Sequence, residues 1–310
     1  MSHIIEIRNL KKFFGDTKAV DDITFSVEEG ELFAFLGLNG AGKSTTINIL
    51  VGMLKRDSGD CFVNNFSVDE ISKILPSIGI VFQTSVLDKK LSVYDNLRYR
   101  AMLYGMDKKE FENNLKYFID KLDLGQILKK QLDKLSGGQK RKVDIVRALL
   151  HKPNILILDE PTTGLDPKTR KLVWDTINEL RKTTNLTVLL TTHYMEEASI
   201  ADNVVIIDGG KIVAEGSPLT LKNKYANDYI KAYKYDNSIF EILDKAKIPY
   251  KKEKNCLEIL FKSTDEAKNF LVKHNNLFKD IEIVKGSMDD VFLSITGKEL
   301  KENIWINSQN

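Results

Sequence analysis

The chain has 310 residues, of which 42% are hydrophobic, and its 46 basic and 44 acidic side chains leave a formal net charge of +2. This length suits two domains, and the balanced charge argues against binding nucleic acid or a membrane surface through net charge. Cys61 and Cys256 lie far apart, which favours reduced thiols, and the absence of any run of about 18 apolar residues means that work at a membrane would need a partner.

The first segment predicts an antiparallel start to the fold. Ile4 to Leu10 alternates apolar and polar residues like a half-buried strand, and Ala19 to Val27 predicts a second strand after a turn at Gly15. Phe14 precedes that turn, where an exposed ring could stack on a flat base, although core packing explains the residue equally well. The pattern leaves the role of this ring open.

A glycine-rich loop follows, with the pattern G-x-x-x-x-G-K-S between an apolar run, Leu32 to Leu36, and a helical run, Thr45 to Leu54. In that context the glycines let backbone N–H groups point at phosphate oxygens beside the positive end of the helix. Lys43 would then reach the outer phosphates and Ser44 would ligate Mg²⁺. The predicted phosphate-binding residues are Gly37, Leu38, Asn39, Gly40, Ala41, Gly42, Lys43, Ser44 and Thr45.

A helical region then interrupts the strand pattern. From Leu91 to Leu132 apolar residues recur at helical spacing, which predicts a helical subdomain at about 87–135 inserted into a sheet domain. Its aromatic and methionine positions are expected mostly in the core, and a few could form a docking surface. These positions are Tyr99, Met102, Tyr104 and Met106.

A Leu-Ser-Gly-Gly-Gln stretch, Leu135 to Gln139, stands directly before a predicted helix from Lys140 to Leu150. A hydroxyl and exposed amides at the positive end of a helix could bind an anion. A capped helix with a flexible entry explains the same residues equally well. The candidate anion-binding residues are Ser136, Gly137, Gly138 and Gln139.

Two acids stand side by side at the end of a buried strand. Ile155 to Leu158 is continuously apolar and is followed by Asp159 and Glu160. Buried strands seldom carry adjacent acids without a reason. Because successive strand residues point to opposite sides, we expect Asp159 to hold Mg²⁺ and Glu160 to face the γ-phosphate and the attacking water.

Two further apolar strands end in polar residues. Ile78 to Phe82 leads to Gln83, and Leu186 to Leu190 leads through two threonines to His193. Ligands bind at the carboxyl ends of strands in nucleotide-binding sheets. Gln83 alone could also be a solvated strand end, and His193 alone an ordinary surface or core side chain. Their assignment to a ligand site therefore depends on their combination with the acidic pair.

The composition changes after Pro218 to a Lys- and Tyr-rich segment with shorter elements. This change predicts a nucleotide-binding sheet domain at 1–218, a small α/β domain at 219–297 and a polar tail at 298–310. A capping box at Ser263 to Glu266 is expected to open a helix. The predicted strands of the small domain are Tyr229–Tyr235, Leu257–Phe261 and Ile281–Val284, and its last helix is Ser287–Ile295.

Together these motifs resemble the nucleotide-binding domain of an ABC transporter, from about Ile4 to Ser217. The stretch at 135–139 is the discriminating motif, because many unrelated NTPases carry a phosphate loop and an acidic strand. A narrower likeness is to the ATPases of type-two ABC exporters, which include drug-resistance and antibiotic-export proteins. The stretches that carry this likeness are Leu91–Leu97, Gly138–Lys142, Thr192–Ala198 and Asp289–Leu293.

The resemblance implies an α/β P-loop NTPase fold with an antiparallel β subdomain, the inserted helical subdomain and a small C-terminal α/β accessory domain. ATP and Mg²⁺ are the implied cofactors, with Phe14 stacking on adenine, although tyrosine is commoner there. Gln83 would sense Mg²⁺ and the attacking water, and His193 would contact the γ-phosphate. Glu160, His193, Gln83 and Lys43 are the predicted catalytic residues, and Ser44, Gln83 and Asp159 the predicted metal-binding residues.

A phosphate loop and an anion-binding turn in one chain suggest a head-to-tail homodimer, in which Ser136 and Gly138 of one copy close on ATP held by the other. The expected function is ATP hydrolysis that drives export through an integral membrane permease at the cytoplasmic face, without nucleic acid. Importer ATPases share the core motifs, and a soluble ABC ATPase acting on ribosomes or nucleic acid is the other alternative. A P-loop kinase or GTPase leaves Leu135 to Gln139 unexplained.

Overall fold

The alternating N-terminal sequence forms an antiparallel sheet in the computed structural model, which describes residues 3–297. The first two strands, β1 (His3–Phe14) and β2 (Thr17–Glu28), are longer than predicted and pair across the turn. After them come β4 (Ser58–Val63) and β5 (Phe66–Ser67), and the strand order is β2-β1-β4-β5. Inward residues such as Ile5 are fully buried in the core that the phosphate loop borders.

Nearly continuous apolar runs form the six-stranded central sheet, as expected for parallel strands that are buried on both faces. Its order is β10-β9-β3-β8-β7-β6, and the five strands from β9 to β6 run parallel. Their carboxyl ends meet at one edge, where ligands bind in such sheets. The strands are β3 (Leu32–Leu36), β6 (Ile78–Val81), β7 (Ile155–Asp159), β8 (Thr187–Thr192), β9 (Asn203–Asp208) and β10 (Lys211–Gly216).

Four helices of this part, α3 to α6, begin at residues whose side chains cap them. Ser92, Asp107 and Asp166 each accept a hydrogen bond from a backbone N–H in the first turn. The helix after the phosphate loop ends at Leu50, and Gly52 just after it has a φ of 71°, in the left-handed region. The helices are α1 (Lys43–Leu50), α2 (Ile71–Ile74), α3 (Val93–Leu103), α4 (Lys108–Leu122), α5 (Gly137–Leu149), α6 (Pro167–Thr184) and α7 (Met195–Ala198).

The inserted helical region differs from expectation on its outer side. Tyr99, Met102 and Tyr104 are 55%, 58% and 42% exposed, and only Met106 is buried, so the expectation of mostly core positions is wrong. The reason is helical periodicity: α3 buries the face that carries Leu97, so the opposite face is left to solvent. We call the exposed set Tyr99, Met102, Leu103 and Tyr104 the α3 patch.

A second compact unit, with its own hydrophobic core, begins at Ala214. Its central βαββαβ succession and strand order β12-β13-β11-β14 are those of a ferredoxin-like fold. Strand β12 and helix α9 are not among the predicted elements. The elements are α8 (Pro218–Tyr225), β11 (Asp228–Tyr235), α9 (Ile239–Ala246), β12 (Tyr250–Lys252), β13 (Leu257–Phe261), α10 (Thr264–His274), β14 (Phe278–Val284) and α11 (Met288–Thr296).

The predicted capping box of α10 is incomplete. Ser263 Oγ accepts the N–H of Glu266, but the Glu266 carboxylate accepts the N–H of Lys262 instead of that of Ser263. A complete box occurs at α11, where Ser287 and Asp290 satisfy each other's N–H groups. The domain boundaries placed at 218 and 297 stay predictions, and the predicted polar tail at 298–310 lies outside the described residues.

Candidate functional site

The phosphate loop joins β3 to α1 with a backbone that only glycine can adopt at the helix start. Gly42 has a φ of 113°, and a Cβ there would lie 2.4 Å from the carbonyl oxygen of Ala19. No side chain caps α1, so the amides of its first turn lack the side-chain acceptor that most helices have. This helix start can therefore receive an anion.

The Lys43 side chain is buried beneath the loop. Its ammonium donates to the carbonyl oxygens of Gly37 at 2.8 Å and Leu38 at 3.1 Å, and it lies 3.8 Å from Glu160 Oε1. Burial lowers the pKa of Lys43, while the carboxylates of Glu160 and Asp159 act in the opposite direction. The carbonyl oxygens that now accept from the Lys43 ammonium are neutral. Phosphate oxygens would accept the same hydrogen bonds and carry the negative charge that pairs with the ammonium.

Asp159 lies at the end of β7 and faces the loop. It accepts from Ser44 Oγ at 3.1 and 3.3 Å and from Thr191 Oγ1 at the end of β8. Hydroxyl and carboxylate oxygens are the hard ligands that Mg²⁺ takes, one or two from the protein and the rest from phosphates and water. The Ser44 hydroxyl and the Asp159 carboxylate are therefore suitable ligands for Mg²⁺. The role of Thr191 was missed, although threonines at a strand end were a visible signal.

Glu160 does not continue the strand, so the alternation argument for the acidic pair is wrong in its premise. Strand β7 ends at Asp159, and Glu160 has a φ of 48°, in the left-handed region. The Glu160 carboxylate accepts from Gln83 Nε2 at 3.1 Å, and its Oε1 lies 3.1 Å from His193 Nδ1, without hydrogen-bond alignment. The two acids still have separate partners, because the chain turns between them.

The side chains of Lys43, Ser44, Gln83 and Glu160 meet at one cleft of about 220 Å³, which Asp159 and His193 do not line. A larger cavity of about 620 Å³ lies beside α4 and α6 and is lined by none of the predicted site residues. The chemistry of the smaller cleft, with a cation, hydroxyls and a carboxylate, makes it the candidate phosphate site. Its lining residues are Asn39, Gly40, Gly42, Lys43, Ser44, Thr45, Gln83 and Glu160.

Phe14 stands at the tip of the β1–β2 hairpin, paired with Thr17. Its ring is 51% exposed, and the ammonium of Lys12 lies 5.4 Å from the ring centroid. The other arm of the hairpin carries Ala19, whose carbonyl faces Gly42. Core packing is therefore wrong for Phe14, and its exposed face remains free for a base beside the loop.

The Ser-Gly-Gly turn lies outside the cleft. Ser136 Oγ accepts the N–H of Gln139 at 3.2 Å, and Gln139 Oε1 accepts the N–H of Ser136 at 3.0 Å, a complete capping box. Ser136 and Gly137 are exposed, and Gly138 lies close to Thr169 at the start of α6. Residues 136–139 therefore do not contribute to the cleft of their own chain.

Two buried charged residues behind the site were missed by sequence reasoning. Glu197 accepts from the hydroxyls of Thr162 and Thr192, so it connects the loop after Glu160 to the strand that leads to His193. Arg141, on α5, donates to carbonyl oxygens around the acidic pair. The only signal for Arg141 was a basic residue on the apolar face of a predicted helix, beside Val143 and Ile145.

Comparison with known proteins gives concordant results. Residues 20–163 match the family described as ABC transporter. The linearmycin resistance ATP-binding protein LnrL of Bacillus subtilis is 32% identical, over 96% of this chain and 100% of that protein. The Nod factor export ATP-binding protein I of Cupriavidus metallidurans is 31% identical, over 97% and 100%. A solved dimeric ATP-binding cassette in a post-hydrolysis state, bound to ADP and Pi, superposes with a TM-score of 0.64 at 26% identity, covering 69% of this chain and 98% of that one.

Proposed function

The chain belongs to the ABC transporter ATP-binding proteins of drug-export type, and from this we propose that it drives export through a separate integral membrane subunit, as one of two copies that close on ATP. The relatives that it matches over their full length are named for linearmycin resistance and Nod factor export, which favours export over import. No helix within residues 3–297 combines the length and apolarity needed to cross a bilayer.

The residues of the cleft divide the work of hydrolysis. Lys43 exchanges its backbone carbonyls for the outer phosphate oxygens of ATP, next to the uncapped start of α1. Glu160 accepts a proton from the attacking water, Gln83 donates a hydrogen bond to its carboxylate, and His193 lies beside it. Ser44 and Asp159 would hold Mg²⁺, which neutralises charge that develops on the phosphates.

The observation that carries the dimer is the position of the Ser-Gly-Gly turn. It is an anion-binding helix start, exposed and outside the cleft that holds Lys43 and Glu160. A second copy related by two-fold symmetry would bring the turn of each chain to the ATP of the other. Loss of the γ-phosphate would remove contacts to both copies and open the pair.

The α3 patch is the surface that we assign to the membrane subunit. An exposed cluster of apolar side chains marks an interaction site. Arg100, on the same helix, donates at 3.1 Å to the carbonyl of Val86, three residues after Gln83. A subunit seated on α3 would thus be linked through this loop to the side chain that holds Glu160.

Purification of the chain from detergent-solubilised membranes tests the assignment. We expect an integral membrane protein to co-purify, and Leu103→Glu should abolish its recovery because a charge enters the centre of the patch. Val272→Glu is the matched control, because Val272 is 72% exposed in the second unit and Leu103 is 76% exposed. Both variants should bind ATP normally.

Recovery of ribosomes instead of a membrane protein would favour the soluble ABC ATPase. Full recovery of the membrane protein with Leu103→Glu would remove the α3 patch from the proposal.

A further inference from the structure

Helix α5 lies along the free edge of the central sheet. Strand β6 is the outermost strand, so its outer carbonyl groups have no neighbouring strand to accept from. Gly79 permits the close approach, since a Cβ there would lie 2.1 Å from the carbonyl oxygen of Ala148 on α5. His151 Nε2 lies 3.1 Å from the carbonyl of Ile78, and Arg147 donates to that of Ile80. Side chains of α5 and of the turn after it thus replace a missing strand.

Arg141, also on α5, makes the same kind of contact to backbone carbonyl groups, next to the residues of the cleft. Its guanidinium is buried and uses all three nitrogens: Nε donates to Pro161, Nη1 to Phe82, and Nη2 to Asp159 at 3.2 Å and Glu160 at 2.8 Å, in each case to the backbone carbonyl. One planar fork therefore joins the residue before Gln83 to the residues that carry both carboxylates. A lysine presents donors at a single point and cannot reach these groups together.

The contact to Glu160 is made where the backbone is held in an unusual conformation. A non-glycine residue with a positive φ is disfavoured and persists only where its surroundings hold it. At Glu160 the N–H donates to the carbonyl of Thr191 at 3.1 Å, and the carbonyl accepts from Arg141. These two hydrogen bonds restrain the peptide planes that set the direction of the Glu160 carboxylate. Substitution of Arg141 removes the one to the carbonyl group.

We propose that Arg141 is a positioning residue that holds the backbone of Glu160 and Phe82 in register with α5, whose N-terminus carries Ser136. When the Ser-Gly-Gly turn contacts a second copy, α5 would move. Arg141 would pass this movement to the backbone of Glu160, whose carboxylate acts on water. This inference rests on the proposed function, because Glu160 must be the group that acts on water. It adds a connection, within one chain, between the turn that serves one ATP and the carboxylate that serves the other.

The test compares Arg141→Lys and Arg141→Gln with Arg147→Lys, a half-buried arginine on the same helix whose backbone-carbonyl contact is to strand β6. For both Arg141 variants we expect kcat to fall about 10- to 100-fold, while the Kd for ATP without Mg²⁺ changes less than about 3-fold, since a misplaced catalytic group costs rate and not binding. Arg147→Lys should lower the melting temperature and keep kcat within about 3-fold of the wild type.

A double-mutant cycle decides whether Arg141 acts through Glu160. In single-turnover assays, Arg141→Lys should reduce the residual rate of Glu160→Gln by less than about 3-fold, because a carboxylate that is already absent cannot be misplaced. A full additional reduction, an equal loss of kcat in Arg147→Lys, wild-type kcat in Arg141→Lys, or loss of ATP binding in both Arg141 variants would each overturn the inference. Wild-type turnover in Glu160→Gln alone would instead overturn the proposed catalytic role of Glu160.

Discussion

We assign an anion to each of two helix starts in this chain, and the N–H groups of their first turns differ in their side-chain partners. Helix α1 begins at Gly42 without a side-chain cap and opens into the cleft. Helix α5 begins at Ser136 with a complete capping box and contributes no residue to that cleft. No side chain accepts from the first-turn N–H groups of α1, whereas at α5 the capping box already occupies the N–H groups of Ser136 and Gln139.

This difference suggests an order of events. A phosphate at α1 gains amides that no side chain occupies, so ATP can bind a single copy. A phosphate at α5 must compete with a cap that stabilises a helix by about 1 kcal/mol, against charge-assisted hydrogen bonds of about 1.5–3 kcal/mol. In the proposed dimer, a triphosphate held by the other copy would have to replace this cap with its own hydrogen bonds.

The largest expected effect comes from removing the chemistry while leaving both helix starts intact. Glu160→Gln removes the proton acceptor and preserves shape, so we expect hydrolysis to fall about 100- to 10,000-fold with ATP binding retained. ATP should then hold two copies together, as measured by size-exclusion chromatography with light scattering. Wild-type turnover would refute the role of Glu160, and a monomer at saturating ATP would refute the shared-nucleotide dimer.

Removal of the cation at α1 tests the first helix start. Lys43→Met should weaken ATP binding about 10- to 100-fold, because an ammonium contact to phosphate is a charge-assisted hydrogen bond. Binding of a fluorescent ATP analogue would measure this loss. Lys108→Met, at an exposed position on α4, provides the control and should bind normally. Equal affinity in the two variants would contradict the assigned role of Lys43.

Removal of the cap at α5 tests the second helix start. In the Glu160→Gln background, Ser136→Ala should weaken the ATP-dependent dimer about 10-fold, because a neutral hydrogen-bonding group is lost, while single-copy ATP binding is unchanged. Ser287→Ala removes a matching capping box from α11 in the other unit. Both substitutions should cost about 1 kcal/mol of helix stability. A dimer weakened equally by Ser287→Ala would show that the effect is one of stability alone.

The last prediction concerns folding stability alone, at His151, which lies just beyond the C-terminal end of α5. Burial lowers the pKa of His151 from 6.5 to about 4, so the unfolded chain binds a proton at pH 5 that the folded chain does not. This stability is present above pH 6.5 and is lost as the pH falls towards 4, by about 1–2 kcal/mol between pH 7 and pH 5 for a partly buried ring. Urea unfolding would measure it.

His151→Phe is the control for that measurement, because phenylalanine keeps the stacking on Tyr104 and cannot titrate. The variant should lose less stability than the wild type over the same pH interval. An identical loss in both proteins would assign the pH dependence to other groups.

Much of the fold and part of the site could be predicted from local patterns. The phosphate loop, the acidic strand and the cap at Ser136 depend on residues within a few positions of one another, so their spacing carries the information. The exposed side of α3 was mispredicted, since apolar composition alone does not say which face of a helix meets the core. The contacts of Arg141 span 59 residues to Phe82, and no local pattern announces them.

The amino-acid sequence by itself determined most of the elements, the residue types of the cleft and the family, because strand, loop and helix preferences act between near neighbours. Only the tertiary structure decided that Glu160 takes a left-handed turn, that Arg141 holds its carbonyl, and that the Ser-Gly-Gly turn stands outside the cleft. These outcomes depend on which distant backbone groups are left without partners when the sheet and helices pack, and each buried polar group must then find one.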